Sequence, residues 1–239
     1  MSESVKLFFS IIVPAHNEEN YISETLEHLS LLDYPKEKFE VIVIENGSSD
    51  RTDEIAKRFE GGNIKILTTE KSGVSMAKNM GIDRRNPVSD WSIFLDADTV
   101  LKQNFLNELN DFLVKRSYKS FTRGTTQVLP LPYCLNAKLW FAFYDQVHRF
   151  GHVSYAIQIF KSSVLEHERF DEGLKMGEDL KLISDATKHG KFFYFATEDV
   201  LTSTRRFDQH GWWNIFFRWT FVSALPVKLQ REFGYKVTR

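Results

Sequence analysis

Trp91-Ser92-Ile93-Phe94-Leu95-Asp96-Ala97-Asp98-Thr99 is the stretch on which the reading of this chain turns. An apolar run stops abruptly at two carboxylates with one alanine between them. A short uninterrupted apolar run predicts a strand buried on both faces. Acids one residue apart at a strand's end can both turn toward one hard cation if the chain leaves the pleat there. Mg²⁺ and Mn²⁺ take oxygen ligands and share them with substrate phosphates. Two acids on a solvated loop would read the same way, so the surrounding sequence has to decide.

Before this stretch, strand and helix patterns alternate. Phe8 to Val13 is a β-rich run that stops at Pro14, and Asn20 to Leu32 carries Ile22, Leu26 and Leu29 at helical spacing. Phe39 to Ile44 is a second apolar run. Asp50 to Phe59 reads as a helix with Ile55, Ala56 and Phe59 on one side. Ile64 to Leu67 is a third strand, and Gly73 to Arg84 suits a helix. This alternation predicts βαβ units and a parallel sheet, in which ligands bind beyond the carboxyl ends of the strands. Polar clusters fall at three such ends: His16-Asn17-Glu18, Glu45-Asn46-Gly47-Ser48-Ser49-Asp50 and Asp96-Ala97-Asp98.

After it, Phe105 to Leu113 reads as a helix, and Ser120 to Leu129 and Val153 to Phe160 as strands. Gly177 to Ala186 is a helix that opens on Glu178-Asp179, and Lys191 to Phe195 is a further apolar run. No internal repeat or linker divides the chain, so one α/β domain is expected.

Composition narrows the class. The chain has 239 residues, 42% of them hydrophobic, enough for a substantial core. The formal net charge of −1 gives no basic field for nucleic acid. The single cysteine, Cys134, allows no intramolecular disulfide and fits a reducing compartment. The polar start, Met1 to Lys6, does not read as a signal peptide, and no run reaches the roughly 18 apolar residues of a membrane span. A cytoplasmic location follows as the expectation.

Each cluster has a plain structural reading and a functional one. In Pro14-Ala15-His16-Asn17-Glu18, Asn17 or Asn20 can cap the next helix, or the loop and Glu18 can hold a nucleoside. Gly47, Ser49 and Asp50 suit a turn and a helix cap, while Glu45 at a strand tip can accept hydrogen bonds from a base or ribose. Both readings can hold together, since a helix N-terminus near a pyrophosphate is itself useful. Glu178 and Asp179 complement a helix dipole, and a carboxylate beside an acceptor hydroxyl can also act as general base. Arg205 and Arg206 can stabilise charge on a diphosphate. His210 is a candidate third metal ligand.

Taken together, Ser10-Ile11-Ile12-Val13-Pro14-Ala15-His16-Asn17-Glu18, Glu45 through Asp50, Phe94-Leu95-Asp96-Ala97-Asp98, and Phe170-Asp171-Glu172 through Gly177-Glu178-Asp179 resemble a family 2 glycosyltransferase. The resemblance covers roughly residues 7 to 210. It implies a single GT-A (Rossmann-like) domain with a mostly parallel sheet flanked by helices, spanning 1–210, and an aromatic-rich helical extension at 211–239. It also implies an inverting enzyme that uses Mg²⁺ or Mn²⁺ and a nucleoside-diphosphate sugar, UDP- or GDP-linked. Glu18 and Glu45 would contact the nucleoside, Asp96 and Asp98 the metal and diphosphate, and Asp179 would be the base beside Glu178. Pro14, Ala15, His16, Asn46, Gly47, Lys71, Ala77, Asn79, Ala97, Arg205 and Arg206 complete the candidate nucleotide-sugar set. Many members carry Asp-Asp-Gly-Ser where this chain has Glu45-Asn46-Gly47-Ser48, which leaves the nucleotide open.

The acceptor side is less defined. Trp212, Trp213, Phe216, Phe217, Trp219 and Phe221 fall within ten positions. Such a helix, apolar nearly all round, completes a core or a dimer contact, or lies at a membrane surface and admits a polyprenyl-phosphate or lipid-linked acceptor. Two other classes compete: a nucleotidyltransferase, against which the acidic His16-Asn17-Glu18-Glu19 loop argues, and a non-catalytic sugar-nucleotide binder, against which the intact Asp96, Asp98 and Asp179 argue.

Overall fold

The structure, a computed structural model, describes residues 5–70, 72–132, 135–154, 156–174, 177–215 and 217. Seven strands form the main sheet: β1 (Phe9–Ala15), β2 (Phe39–Asn46), β3 (Ile64–Thr69), β4 (Trp91–Leu95), β6 (Phe121–Thr126), β8 (Ile157–Lys161) and β9 (Lys191–Phe195). Their order is β3-β2-β1-β4-β8-β6-β9. Only β8 opposes its neighbours, pairing antiparallel with β4 and β6, so the sheet is mostly parallel as expected. β1 lies between β2 and β4, so the connections change direction there and leave a crevice at the carboxyl ends of β1 and β4.

Helices α1 (Ile22–Ser30), α2 (Thr52–Lys57), α4 (Phe105–Lys115) and α5 (Leu135–Gly151) cover one face. Their apolar stripes, such as Phe105, Leu109 and Leu113 on α4, meet Phe9, Ile11 and Val13 of β1. Helices α3 (Val74–Arg84) and α6 (Glu178–Asp185) cover the other. There Ile12 and Phe94 pack with Ile82, Phe170 and Leu182. Alternate residues of β1 thus serve opposite cores, as the pleat requires. α3 lies flush on β1: a Cβ on Gly81 would stand 2.3 Å from Ile12 Cγ2.

The sequence reading missed a second, three-stranded sheet of β5 (Thr99–Leu101), β10 (Val200–Ser203) and β7 (Leu129–Leu131), ordered β5-β10-β7. It also ended β1 too early. β1 runs through Pro14, which pairs with Ile44 of β2 after the ladder to β4 has stopped at Ile12–Phe94. A proline is tolerated where one flank of a strand no longer needs its N–H. The expected strand over 120–129 breaks into β6 and β7, and Arg205-Arg206 begins a helix, α7 (Arg205–His210).

Of the 211–239 extension, only residues 211–215 and 217 are described. Trp212 stacks on Phe207 of α7 at 4.7 Å and meets Trp140 of α5 at 5.9 Å, so this start of the segment packs on the main body. Trp213 is 65% exposed. Among the described residues no helix is long and apolar enough to cross a membrane.

Candidate active site

The loops after β1 and β2 are bound to each other. His16 Nδ1 lies 3.0 Å from the Asn46 carbonyl, and the Asn17 N–H donates to Ser48 Oγ at 3.0 Å. Ser49 N–H donates to Asn17 Oδ1 at 2.8 Å, and Glu18 N–H to Thr52 Oγ1 at 2.7 Å. Asp50 accepts from the Thr52 N–H at the start of α2. The N-cap position itself is Arg51, which makes no side-chain cap bond, so Asp50 acts from one residue before it, and Asn17 braces the neighbouring loop. Glu45 is buried and accepts from Ser48 N–H at 2.6 Å, closing its own turn. Gly47 has φ +76°, and a Cβ there would stand 2.9 Å from the Glu70 carbonyl oxygen. Among the described residues, Asn46 Oδ1 and Glu18 Oε2 are buried acceptors with no hydrogen-bond partner. A buried acceptor without a donor is costly, so each of these two atoms has room for an N–H or O–H group.

The paired acids sit where the two sheets join. β4 ends at Leu95 and β5 begins at Thr99, so Asp96 to Asp98 turn the corner between them. Thr25 Oγ1 of α1 holds the Ala97 carbonyl at 2.8 Å, and Ser203 N–H holds that of Asp98 at 3.1 Å. The pairing of β10 with β5 brings Arg205 to Asp98. Arg205 Nε lies 3.0 Å from Asp98 Oδ2, its Nη2 lies 2.5 Å from Glu18 Oε1, and the guanidinium covers the Tyr21 ring at 4.4 Å. A cavity of about 300 Å³ opens beside Asp98 and Arg205.

Electrostatics follow from this crowding. Burial pushes Glu18 up to about 7, with Arg205 opposing and Asp98 and Asp96 adding. Burial and then Asp98 push Asp96 up to about 6, while Lys78 and Arg206 pull it down. Two acids in mutual repulsion, with all-oxygen donors, fit a hard divalent cation that completes its shell from substrate phosphates.

The sequence reading did not single out Lys78. This buried residue of α3 reaches Asp179 Oδ1 at 2.6 Å and Glu178 Oε1 at 3.4 Å, at the start of α6. Its Nζ also lies 4.8 Å from the centre of the Phe170 ring. Burial works to discharge the lysine, but Asp179, Glu178 and Asp96 outweigh it and hold it above its ordinary range. Burial, then Asp179, push Glu178 up to about 7, with Lys78 opposing.

Residues 10–124 match the family described as Glycosyl transferase family 2. That stretch, just under half of the chain, is similar to glycosyltransferase family 2. The chain is 31% identical over 218 residues to the minor teichoic acid biosynthesis protein GgaA of Bacillus subtilis, covering 78% of this chain and 46% of that protein. It thus spans under half the length of that relative. The fold is that of S. aureus TarS 1–349, solved with UDP-GlcNAc, at TM-score 0.68, 20% identity, and coverage of 83% of this chain and 59% of that one. The mannosyltransferase PcManGT from Pyrobaculum calidifontis, solved with GDP-Man and Mn²⁺, gives TM-score 0.67 and 20% identity over 95% of this chain and 64% of that one.

Most candidate residues converge on the crevice. Pro14, Ala15, His16, Glu18, Glu45, Asn46 and Gly47 line the β1 and β2 ends, Asp96, Ala97 and Asp98 the β4 end, and Arg205 closes over them. Arg206 follows on α7 and acts on Asp96 by its charge. Ala77 is buried on α3 beside Ile42 and Ile44. Asn79 is spent elsewhere. Its amide donates to the Phe170 carbonyl and Glu172 Oε1, each at 2.9 Å, and accepts from Phe170 N–H at 3.0 Å, bracing the loop that precedes α6. Lys71 lies outside the described residues. His210 ends α7 and is exposed, five residues beyond the arginine that engages Asp98. Among the described residues no three His, Cys, Asp or Glu groups are placed to hold a metal, so Asp96, Asp98 and His210 are not assembled as a three-ligand set.

Proposed function

We propose that this chain is an inverting hexosyltransferase-like enzyme that moves a sugar from a UDP- or GDP-sugar to an acceptor hydroxyl or phosphate. The observation that carries this is a pair of buried acceptors, Asn46 Oδ1 and Glu18 Oε2, partnerless among the described residues, at the crevice that also holds Asp96 and Asp98. A nucleoside supplies the donors they lack. TarS with UDP-GlcNAc and PcManGT with GDP-Man and Mn²⁺ support the substrate class.

In this reading Glu18, Glu45 and Asn46 hold the nucleoside. Asp96 and Asp98 would hold Mg²⁺ or Mn²⁺, which when bound offsets charge on the diphosphate. Arg205 and Arg206 add fixed positive charge beside it. Asp179 Oδ2 takes the acceptor proton as the acceptor oxygen bonds to the anomeric carbon. The bond from that carbon to the diphosphate oxygen breaks, and its electron pair leaves with the nucleoside diphosphate. Attack from the opposite face inverts the configuration with no covalent intermediate, so Cys134 has no part in it.

The acceptor in this reading is lipid-linked, a polyprenyl phosphate or a sugar carried on one. The chain then works at the cytoplasmic face of a membrane, reached through the aromatic segment from Trp212 to Phe221.

Calorimetric titration of UDP and GDP with and without Mn²⁺, followed by assays of their sugars, tests the whole reading. One nucleotide should bind, more tightly with Mn²⁺. Asp179→Asn should keep that binding and lose about 10²–10⁴-fold in transfer, the usual worth of a general base. A chain that binds neither nucleotide overturns the proposal.

A further inference from the structure

We propose that Lys78 is a positioning residue for the base: its ammonium fixes the direction and charge of Asp179 and so governs proton transfer from the acceptor. This rests on the transfer reading above, in which Asp179 receives that proton.

The placement of Lys78 is built into the fold. Gly81 lets α3 lie flush on β1, and residues three apart share a helix face. Lys78 therefore enters on the packed side of α3, 2% exposed. A buried ammonium is expensive unless it is paired. Here it is paired twice, with Asp179 at 2.6 Å and Glu178 at 3.4 Å, a hundred residues away in sequence. The Phe170 ring offers its face to the same nitrogen.

Surrounding charges do not duplicate this role. Asp96 faces Lys78 from the end of β4, and Arg206 on α7 acts on Asp96. Glu172, in the loop before α6, is held by the Asn79 amide, and Asp171 accepts from Gly173 N–H at 2.9 Å. Lys181 on α6 is tied to Asp185 at 2.6 Å. Among the described residues, Lys78 is thus the cation in contact with both acids that open α6.

The contact settles which oxygen does what. Lys78 occupies Asp179 Oδ1, which leaves Oδ2 to meet an acceptor hydroxyl, and the Asp179 side chain is 28% exposed. Acceptor, base and orienting cation then form a three-part relay, the arrangement by which a base is aimed. Burial and the neighbouring Asp179 push Glu178 toward its neutral form, and Lys78 makes its shorter contact with Asp179.

The test needs a readout independent of turnover. Protein labelled with ¹³C at the aspartate side-chain carboxyls gives an Asp179 signal, assigned by its loss in Asp179→Asn. In Lys78→Met the midpoint of that signal should rise by about 1 pH unit or more, because an opposite charge within contact distance is gone. Lys78→Arg should bring it back. The acid limb of the transfer rate should move with it, while UDP or GDP affinity stays within about threefold. If Lys78→Met fails to fold, Lys78→Gln, which keeps a polar head and removes the charge, carries the same measurement. An unmoved midpoint overturns the proposal, and nucleotide affinity lost with an unmoved midpoint assigns Lys78 to the donor phosphates instead. A wild-type chain with the expected midpoints but no transfer would refute the enzymatic reading and leave the Lys78–Asp179 coupling standing.

Discussion

Arg205→Met should destabilise this protein in a pH-dependent way. Arg205 bridges Glu18 and Asp98, and all three side chains are 11–13% exposed. Removing one member of a buried ion pair costs about 3–5 kcal/mol, because the partner's charge is left uncompensated. Residual exposure places this site at the lower end, about 3 kcal/mol. That figure applies only while Glu18 is ionised. Burial raises Glu18 from 4.5 to about 7, and Arg205 opposes the rise. A carboxyl raised in the folded state binds its proton more tightly there than in the unfolded chain. Its contribution to stability is therefore fully present below about 4.5 and lost as pH climbs through about 7. Without Arg205 the folded value rises further and the loss continues above 7. At pH 5.5 Glu18 holds its proton in both proteins, so the penalty should shrink to about 1 kcal/mol, that of Asp98 alone. Urea unfolding at pH 5.5 and 8.5 measures both. In a Glu18→Gln background the penalty should lose its pH dependence. Equal penalties at the two pH values in the wild-type background would refute the assignment of Glu18 as the titrating partner.

Two further outcomes are expected. Glu45→Ala removes both the proposed nucleoside contact and the acceptor of the Ser48 N–H, so UDP or GDP binding should weaken by about 1–3 kcal/mol, roughly 5- to 150-fold, with little loss of rate at saturating donor; unchanged affinity for either nucleotide removes Glu45 from the site. The chain should float with anionic liposomes and lose this when Trp212, Trp213 and Phe217 become serine in a folded variant, since residues 211–239 carry Arg218, Lys228, Arg231, Lys236 and Arg239 against one acid, Glu232; a wild-type chain that stays unbound to every lipid tested returns the aromatic segment to a protein contact.

What could be read from the sequence was what rests on local pattern. Trp91–Leu95 and Lys191–Phe195 have the predicted bounds, because an apolar run between polar residues has one cheap conformation in a covered sheet. The three polar clusters fall on one edge because parallel strands all point their ends the same way. What escaped the reading depends on contacts distant in sequence. β5 and β10 are three and four residues long, too short to show a period, and they exist because they pair with each other. Lys78 looks like any helical lysine until α6 arrives beside it. Asn79 was grouped with the donor site, yet its amide is committed to a loop about ninety residues away. Such roles are set by tertiary packing, which single-residue propensity does not report.

The charge arrangement gives a physical account of why this crevice suits a phosphate-bearing donor. Arg205 bridges Glu18 and Asp98, and Lys78 bridges Glu178 and Asp179. Asp96 lies between these two clusters and, among the described residues, has no ion pair of its own, though Lys78 and Arg206 act on it at longer range. It is the acid that new positive charge would relieve most directly. Negative charge brought in by a diphosphate would be tolerated only together with that positive charge, since among the described residues the crevice holds more acids than bases. Each partner therefore lowers the cost of admitting the other, and cation and nucleotide should bind with positive coupling rather than independently.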